Sequence, residues 1–408
     1  MVVENSVMQT TCIIGGGPAG MMLGFLLARA GLPVTVLEKH TDFFRDFRGD
    51  TIHPSTLELL KELGLYEKFL QIPHSQVTGL SAIIGGEKIV LSDFSHLPTQ
   101  ARFIALMPQW DFLNFLAGEA KRFPSFTLRM GWEAIDLIER DGAVAGVRAK
   151  TPEGEQEIAA DLVVGCDGRH ALSRSAAHLA VVEEGVPIDV LWFRIARQPT
   201  DPENALGYAN FGRLVILINR QDYFQVGFLI AKGEYAKIQQ EGLTAFHQSL
   251  ERIVPFLAGR TGEIDSWEQV KLLTVQINHL ERWSRPGLLC IGDAAHAMSP
   301  VGGIGINIAL QDAVATANHL VAPLRAGTLT PGDLEKVQRY RERAVKNTQR
   351  MQIFAHKILN RVLHDPAPLQ APWQLRAGTR IPGARRLVAR FVGLGLQPEH
   401  IRTEERSA

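Results

Sequence analysis

The sequence predicts an α/β fold: a mainly parallel sheet with an inserted antiparallel meander, a second strand-rich domain, and C-terminal helices closing over the join. Three stretches carry that prediction. Thr10 to Glu38 reads as strand, glycine turn, helix and second strand, and the apolar runs Leu162 to Gly165 and Leu288 to Ile291 each lead into an aspartate and a glycine. Short unbroken apolar runs alternating with helical segments are the pattern of strands covered on both faces, as in parallel sheets.

The first stretch sets the frame. Cys12, Ile13 and Ile14 lead into Gly15-Gly16-Gly17-Pro18-Ala19-Gly20, a helical segment follows from Met21 to Ala30, and Val34 to Leu37 ends at Glu38. Gly15 permits the tight turn, Gly17 removes the side chain where a pyrophosphate approaches, and Gly20 lets the helix pack close to the strand. The free amides at the helix start face an anion. Glu38, about 20 residues beyond the glycines, stands where a carboxylate accepts hydrogen bonds from an adenosine ribose. The stretch predicts a dinucleotide site and leaves FAD and NAD both open.

The 408 residues allow two or more packed units. Lys plus Arg and Asp plus Glu balance at 43 each, so no global field argues for nucleic acid or an acidic partner, and a small-molecule ligand is expected. There is no signal-like start, and no run approaches the roughly 18 apolar residues of a membrane span, so the expectation is a cytoplasmic monomer or homodimer with no transmembrane segment. Cys12, Cys166 and Cys290 each end an apolar run just before a glycine-bearing turn. Buried free thiols are expected, with neither a disulfide frame nor a metal site.

After Glu38 and Lys39 comes a polar and aromatic loop that holds Arg48, where a cation could neutralise pyrophosphate or line the cofactor, and then a helix from Pro54 to Leu63. Leu80 to Leu91 reads as a hairpin around Gly85-Gly86, and Gln109 to Ala120 as an amphipathic helix. Between Thr127 and Ile158 the turns Asp141-Gly142 and Pro152-Glu153-Gly154 divide short strands, which form the inserted meander. Leu162 to Gly165 then points Asp167, Gly168 and Arg169 at a helix start. Val181 to Asn278 is strand-rich, with one helix at Gly242 to Val254 and aromatic residues whose sheet could wall a ligand pocket.

Leu288 to Ile291 ends in Gly292-Asp293, and Pro300 to Asn307, including Gly305, opens a long apolar helix that ends near Arg325. Its bare amides could stabilise negative charge on a reduced isoalloxazine. Leu334 to Leu359 is helical and basic, Pro366 to Pro382 holds four prolines, and the basic, partly apolar tail from Gly383 to Arg402 is expected to pack on its own domain rather than on a membrane. The expected boundaries are 1–180 and 281–365 for the nucleotide-binding unit with interface helices, 181–280 for the substrate domain, and 366–408 for the tail.

Gly15 to Gly20 with Glu38, then Cys166-Asp167-Gly168, then Gly292-Asp293 with Pro300 to Asn307 and Asp312, together resemble the three signature motifs of the class A flavoprotein monooxygenases, the family built on the para-hydroxybenzoate hydroxylase fold. The resemblance implies a Rossmann-like FAD-binding domain. It implies that Glu38, with Lys39 beside it, holds the adenosine end, that Gly15, Gly17, Pro18, Ala19 and Gly20 hold the pyrophosphate, and that Arg48 and Gln109 line FAD. Asp167 would serve FAD and the nicotinamide reductant. Gly292 and Asp293 would hold the ribityl chain, while Gly305, Ile306 and Asn307 would offer main-chain groups to the flavin ring. The implied reaction has NADH or NADPH reduce FAD, O2 form a flavin C4a-hydroperoxide, and one oxygen atom pass to an electron-rich, aromatic or polyketide-like small molecule.

The second domain matches no substrate signature. Tyr208, Arg220 and Tyr223 are the substrate-side candidates, and no catalytic base is assigned. His53 reads as the residue that begins a helix before Pro54, and His296 as part of a turn that shapes the cofactor site. Two rival readings stand beside the monooxygenase: an FAD-dependent dehydrogenase or reductase of the same fold, and a non-catalytic flavin-binding module. A halogenase is disfavoured, because Trp192-Phe193-Arg194-Ile195 matches the Trp-x-Trp-x-Ile-Pro run only superficially.

Overall fold

The computed structural model describes residues 8–44, 51–202, 206–381 and 383–406. Its first sheet has the spatial order Ser284–Arg285, Leu288–Cys290, Leu162–Gly165, Thr11–Ile14, Val34–Glu38 and Phe126–Met130. Every neighbouring pair is parallel except the short edge pair Ser284–Arg285 with Leu288–Cys290. The central runs are buried on both faces, which is why they read as continuous apolar segments: Cys12, Ile13, Val163, Val164, Leu288 and Leu289 are all 0% exposed.

The helices of the described residues, in chain order, are α1 (Pro18–Arg29), α2 (Pro54–Glu62), α3 (Tyr66–Phe69), α4 (Gln109–Ala120), α5 (Leu172–Ala176), α6 (Tyr235–Glu241), α7 (Leu243–Ile253), α8 (Gly305–Ala326), α9 (Pro331–Leu363), α10 (Trp373–Arg380) and α11 (Ala384–Leu394). Helix α1 is buried from Ala19 to Ala28 and packs against both α4 and α8. The meander Glu133–Arg140, Ala143–Thr151 and Gly154–Ala159 packs on the strand Leu162–Gly165.

The second sheet has seven strands, in the order Lys271–Leu273, Ile188–Ala196, Tyr223–Ala231, Arg213–Asn219, Leu206–Asn210, Gly79–Ile84 and Glu87–Asp93. Strand alternation gives it two different faces. Leu191, Phe193, Phe224, Val226 and Phe228 form a core with Phe246 and Leu250 of α7. Val190, Leu229, Trp192, Leu214 and Ile216 face the other way, toward Ile353 and Leu359 of α9 and toward Val301.

The hairpin Gly79–Ile84 and Glu87–Asp93 lies early in the chain, in the segment expected to belong wholly to the nucleotide-binding unit. It instead completes the second sheet, through parallel pairing of Gly79–Ile84 with Leu206–Asn210. An alternating pattern shows that a hairpin exists, but not whose open edge it covers. Helix α10 forms inside the proline-bearing stretch, with Pro372 as the residue before its first turn. The tail packs on its own domain: Ala389 and Leu394 join Phe94 and Leu97, Ile401 N donates to Glu62 Oε2 at 2.7 Å, and Arg29 Nη1 donates to Thr403 O at 2.8 Å. No helix of the described residues is long and apolar enough to cross a membrane.

Candidate functional site

The three strand tips converge. Ile14, Gly165 and Cys290 are register neighbours across the first sheet. Gly15, at φ +103°, sits so close to the second tip that a Cβ there would lie 2.5 Å from Cys166 O. Gly292, at φ +59°, sits against the first helix, where a Cβ would lie 3.3 Å from Ala19 Cβ. These contacts require glycine for packing alone, as does Gly20, whose Cβ would fall 2.0 Å from Gly15 O.

Gly17 is different. It is the residue before α1, with ordinary extended dihedrals of φ −74° and ψ −175°, and no side chain caps the helix. No described atom lies within 4 Å of where its Cβ would be. The backbone therefore leaves a free hollow in front of uncapped helix amides, at the positive end of the helix dipole, which is the form of a pyrophosphate cradle. Glu38 stands over the same turn: its Oε2 accepts from Gly16 N at 3.1 Å and its Oε1 from His40 N at 3.1 Å. These residues fit the dinucleotide end of FAD.

Asp167 points inward. Its Oδ1 accepts from Ser173 Oγ at 2.6 Å and its Oδ2 from Ser173 N at 2.9 Å, so its side chain fixes the start of α5. Burial raises its carboxyl, against the lowering effect of the Ser173 bonds. Its neighbour Arg169 reaches the third tip, with Nε donating to Asp293 Oδ2 at 3.2 Å and Nη2 to Met298 O at 3.4 Å. Asp293 is about one-third exposed and is available to a polyol.

Behind that loop lies a buried network. Asp312 of α8, 0% exposed, accepts from Gly292 N at 3.1 Å, from His296 Nε2 at 2.6 Å and from Arg341 Nε at 3.0 Å. Arg341 of α9 also donates to Glu399 Oε1 at 3.0 Å and to Gln397 O at 3.1 Å. Burial works to raise the Asp312 carboxyl, but His296 and Arg341 outweigh it and hold it below the usual range. The aspartate thus stays an acceptor for the Gly292 amide. His296 is a structural partner here, consistent with its place in the turn.

At the start of α8 no side chain caps the helix, while Ile306 and Asn307 are 9% and 2% exposed. The Asn307 side chain is a clamp: its Oδ1 accepts from His53 N at 2.9 Å and from Thr56 Oγ1 at 2.8 Å, and its Nδ2 donates to Thr51 O at 3.1 Å. His53 is the residue before α2, with Pro54 at the first helical position. Burial pushes its ring down to about 4, and Nδ1 donates to Val392 O at 2.7 Å. Gln109 opens α4. Arg48 lies outside the described residues.

Of the substrate-side candidates, Arg220 lies in the turn that follows Asn219, 9% exposed, with its N donating to Tyr223 O at 2.9 Å. Its charge reaches α4: burial raises the Asp111 carboxyl, and Arg220 pulls it part of the way back. Tyr223 is half-buried, with the Arg194 guanidinium 4.9 Å from its ring centroid. Tyr208 is not brought to that side. It is 5% exposed in the core beneath α7, 6.2 Å from the Phe256 ring centroid, because alternation along its strand turns it to the α7 face. Arg341 and Glu399 were invisible to sequence reasoning, since one is a basic residue in a basic helix and the other an acid in a polar tail. Arg169 carried a signal, its place in the second motif.

Comparison with known proteins matches residues 8–351 to the family described as FAD binding domain. The chain is 29% identical over 395 residues to 6-methylpretetramide 4-monooxygenase of Streptomyces rimosus, covering 96% of this chain and 94% of that one. It is 26% identical over 308 residues to rifampicin monooxygenase of Streptomyces venezuelae, covering 74% of this chain but only 61% of that longer protein. Among solved structures, p-nitrophenol 4-monooxygenase of Pseudomonas putida superposes with a TM-score of 0.77 at 18% identity, over 96% of this chain and 100% of that one.

Proposed function

Because the chain belongs to the FAD binding domain family, we propose that it is an FAD-dependent, NAD(P)H-consuming monooxygenase that inserts one oxygen atom of O2 into an electron-rich aromatic or polyketide-like small molecule. The observation that carries the reading is the hollow at Gly17, left open where three strand tips meet although the neighbouring glycines are packed tight. The relative matched over almost its whole length acts, by its name, as a 4-monooxygenase on 6-methylpretetramide. On this reading the enzyme works in the cytoplasm, as a monomer or homodimer, on a diffusing small molecule.

FAD, when bound, supplies two-electron redox chemistry and activation of O2. The chain supplies position and electrostatics. The amides of α1 with Gly15, Gly17, Pro18, Ala19 and Gly20 would hold the pyrophosphate, and Glu38 with Lys39 the adenosine ribose. Asp293, oriented by Arg169 and by the Gly292 amide fixed on Asp312, would hold the ribityl hydroxyls. Gln109, Arg48 and Asp167 would complete the surround, and Gly305, Ile306 and Asn307 would place the positive end of α8 at the ring, favouring negative charge there. The face of the second sheet toward Val301 would keep water from the reacting atoms. His53, pushed down to about 4, is neutral near pH 7 and buried beneath α11, so it serves as a hydrogen-bond donor rather than a base.

The test is oxygen-dependent turnover. Purified protein should be yellow, and a phenolic acceptor should stimulate NADH or NADPH oxidation only with O2 present, with one labelled atom from ¹⁸O₂ in the product. Turnover that proceeds equally without oxygen would bring the reductase reading forward instead.

A further inference from the structure

Helix α9 carries Gln349, Gln352 and His356 at positions i, i+3 and i+7, the spacing of one helix face. All three are buried, and all three reach the segment between the third strand tip and α8. Gln349 Nε2 donates to Asn278 O at 2.8 Å and to Ala297 O at 3.1 Å. Gln352 Oε1 accepts from Ser299 N at 3.1 Å, and its Nε2 donates to Ser299 O at 3.0 Å and to Val301 O at 3.2 Å. His356 Nε2 lies 2.6 Å from Ser299 Oγ, which accepts from Val301 N at 3.1 Å.

The two glutamines differ in what they hold. Ala297 sits in a short strand that pairs with Ile277–Leu280, so its position has a second support. Ser299 to Val301 lies in no strand. Its buried backbone groups must still find partners, and Gln352 alone supplies three of those bonds.

Beyond Val301 the chain turns through Gly302 and Gly303, at φ +83° and +63°. A Cβ on Gly303 would lie 2.5 Å from Thr51 Oγ1, which donates to Gly303 O at 2.7 Å. The glycine loop is thus pinned by α9 at Val301 and by Thr51 at Gly303, and the uncapped start of α8 follows at once. Only Gly302 separates the two pins, so a shift at Val301 passes directly toward the first amides of α8.

Resting on the monooxygenase reading above, we infer that Gln352 is a positioning residue for the redox balance of the flavin. It acts through the backbone of Ser299 to Gly303, and so sets how closely the positive end of α8 approaches the ring. Reduction by two electrons and one proton leaves the ring anionic, so misplaced amides weaken the binding of reduced FAD more than of oxidised FAD. The dinucleotide end, held at Gly17 and Glu38, contributes equally to both states.

The midpoint potential of the bound flavin is measured in the holoenzyme by anaerobic reduction with dithionite against a reference dye, beside stability in urea. Gln352→Met, of similar volume, removes all three bonds. It should weaken reduced relative to oxidised FAD about tenfold, a fall in potential of about 30 mV for a two-electron couple. Gln349→Met loses two buried bonds of the same kind from the same helix face and is the control. It should lose comparable stability and keep that ratio within about twofold. Ser299→Ala, a milder change that frees Val301 N and His356, should shift the ratio about threefold in the direction of Gln352→Met. An unchanged potential in Gln352→Met, or an equal shift in Gln349→Met, overturns the inference. Should Gln352→Met yield no flavoprotein, an unchanged potential in Ser299→Ala overturns it instead. The potential is read without O2 or acceptor, so the two readings fail separately. A shifted potential without oxygen-dependent turnover removes only the monooxygenase, and an unshifted potential with that turnover intact removes only the role of Gln352.

Discussion

Replacing Gly17 should separate cofactor binding from folding more cleanly than replacing any other residue of the glycine turn. Its dihedrals, φ −74° and ψ −175°, suit any L-residue, and no described atom lies within 4 Å of the position of a Cβ. Gly17→Ala should leave the apoprotein as stable as the wild type, or more stable by about 0.4–1 kcal/mol through a less flexible unfolded chain. The same methyl would project into the space that the pyrophosphate needs. Overpacking there costs about 1–3 kcal/mol, or roughly 5- to 150-fold in affinity, with Gly17→Val at the upper end. The assay is a pair of measurements on each variant, FAD affinity by flavin fluorescence quenching and apoprotein stability by urea titration. Gly20→Ala is the contrast, since its Cβ would fall 2.0 Å from Gly15 O and must disturb the fold itself. If Gly17→Val binds FAD with wild-type affinity, the hollow is not the pyrophosphate site and the cofactor assignment fails at its base.

Asp293→Ala should give folded protein that retains little flavin; the pair with Arg169 is partly exposed and worth about 0–1 kcal/mol to the fold, so full yellow colour would count against the ribityl contact. Arg341→Met strands the buried carboxylates of Asp312 and Glu399 and should cost about 3–5 kcal/mol in a denaturant titration, with a change under about 1 kcal/mol ruling out the network as drawn. The folded pKa of His53 is depressed to about 4 against an ordinary 6.5, so the unfolded chain binds more protons between those values. Stability should therefore be fully present above about pH 6.5 and fall as the pH drops toward 4, by about 3 kcal/mol for this group, a loss that His53→Gln should largely remove. Tyr208→Phe should leave acceptor KM within about twofold of wild type, because its ring lies in the core beneath α7; a large KM effect would show that the strand faces the substrate differently.

Features set by neighbours along the chain were legible in the sequence. The turn at Gly15, Gly17 and Gly20, the start of α4 at Gln109 and the start of α2 after His53 all follow from local rules of backbone freedom and helix initiation. Features set by neighbours in space were not. The hairpin Gly79–Ile84 reads as a hairpin in any context, but which edge it extends depends on the open strand Leu206–Asn210, far along the chain. Tyr208 and Tyr223 look alike as aromatic strand residues, yet one turns toward α7 and the other lies under the Arg194 guanidinium. The parity of a strand assigns its faces only once it is known which face the helices cover.

The same distinction bears on the third strand tip. The visible part of that motif is Gly292-Asp293, but the Gly292 amide is held by Asp312, and a carboxylate that is 0% exposed stays charged only with strong partners. His296 and Arg341 provide them, and Arg341 also holds Glu399 of the tail. If Asp312 moved, the Gly292 amide would lose its acceptor and the loop bearing Asp293 would lose its anchor. The tail is thus mechanically continuous with the loop proposed to hold the ribityl chain. Glu399→Gln, which keeps the shape but removes the charge, should weaken FAD binding while leaving Gly17 and the α1 amides intact. If Glu399→Gln binds FAD with wild-type affinity, that continuity is not functional and the tail serves only the fold.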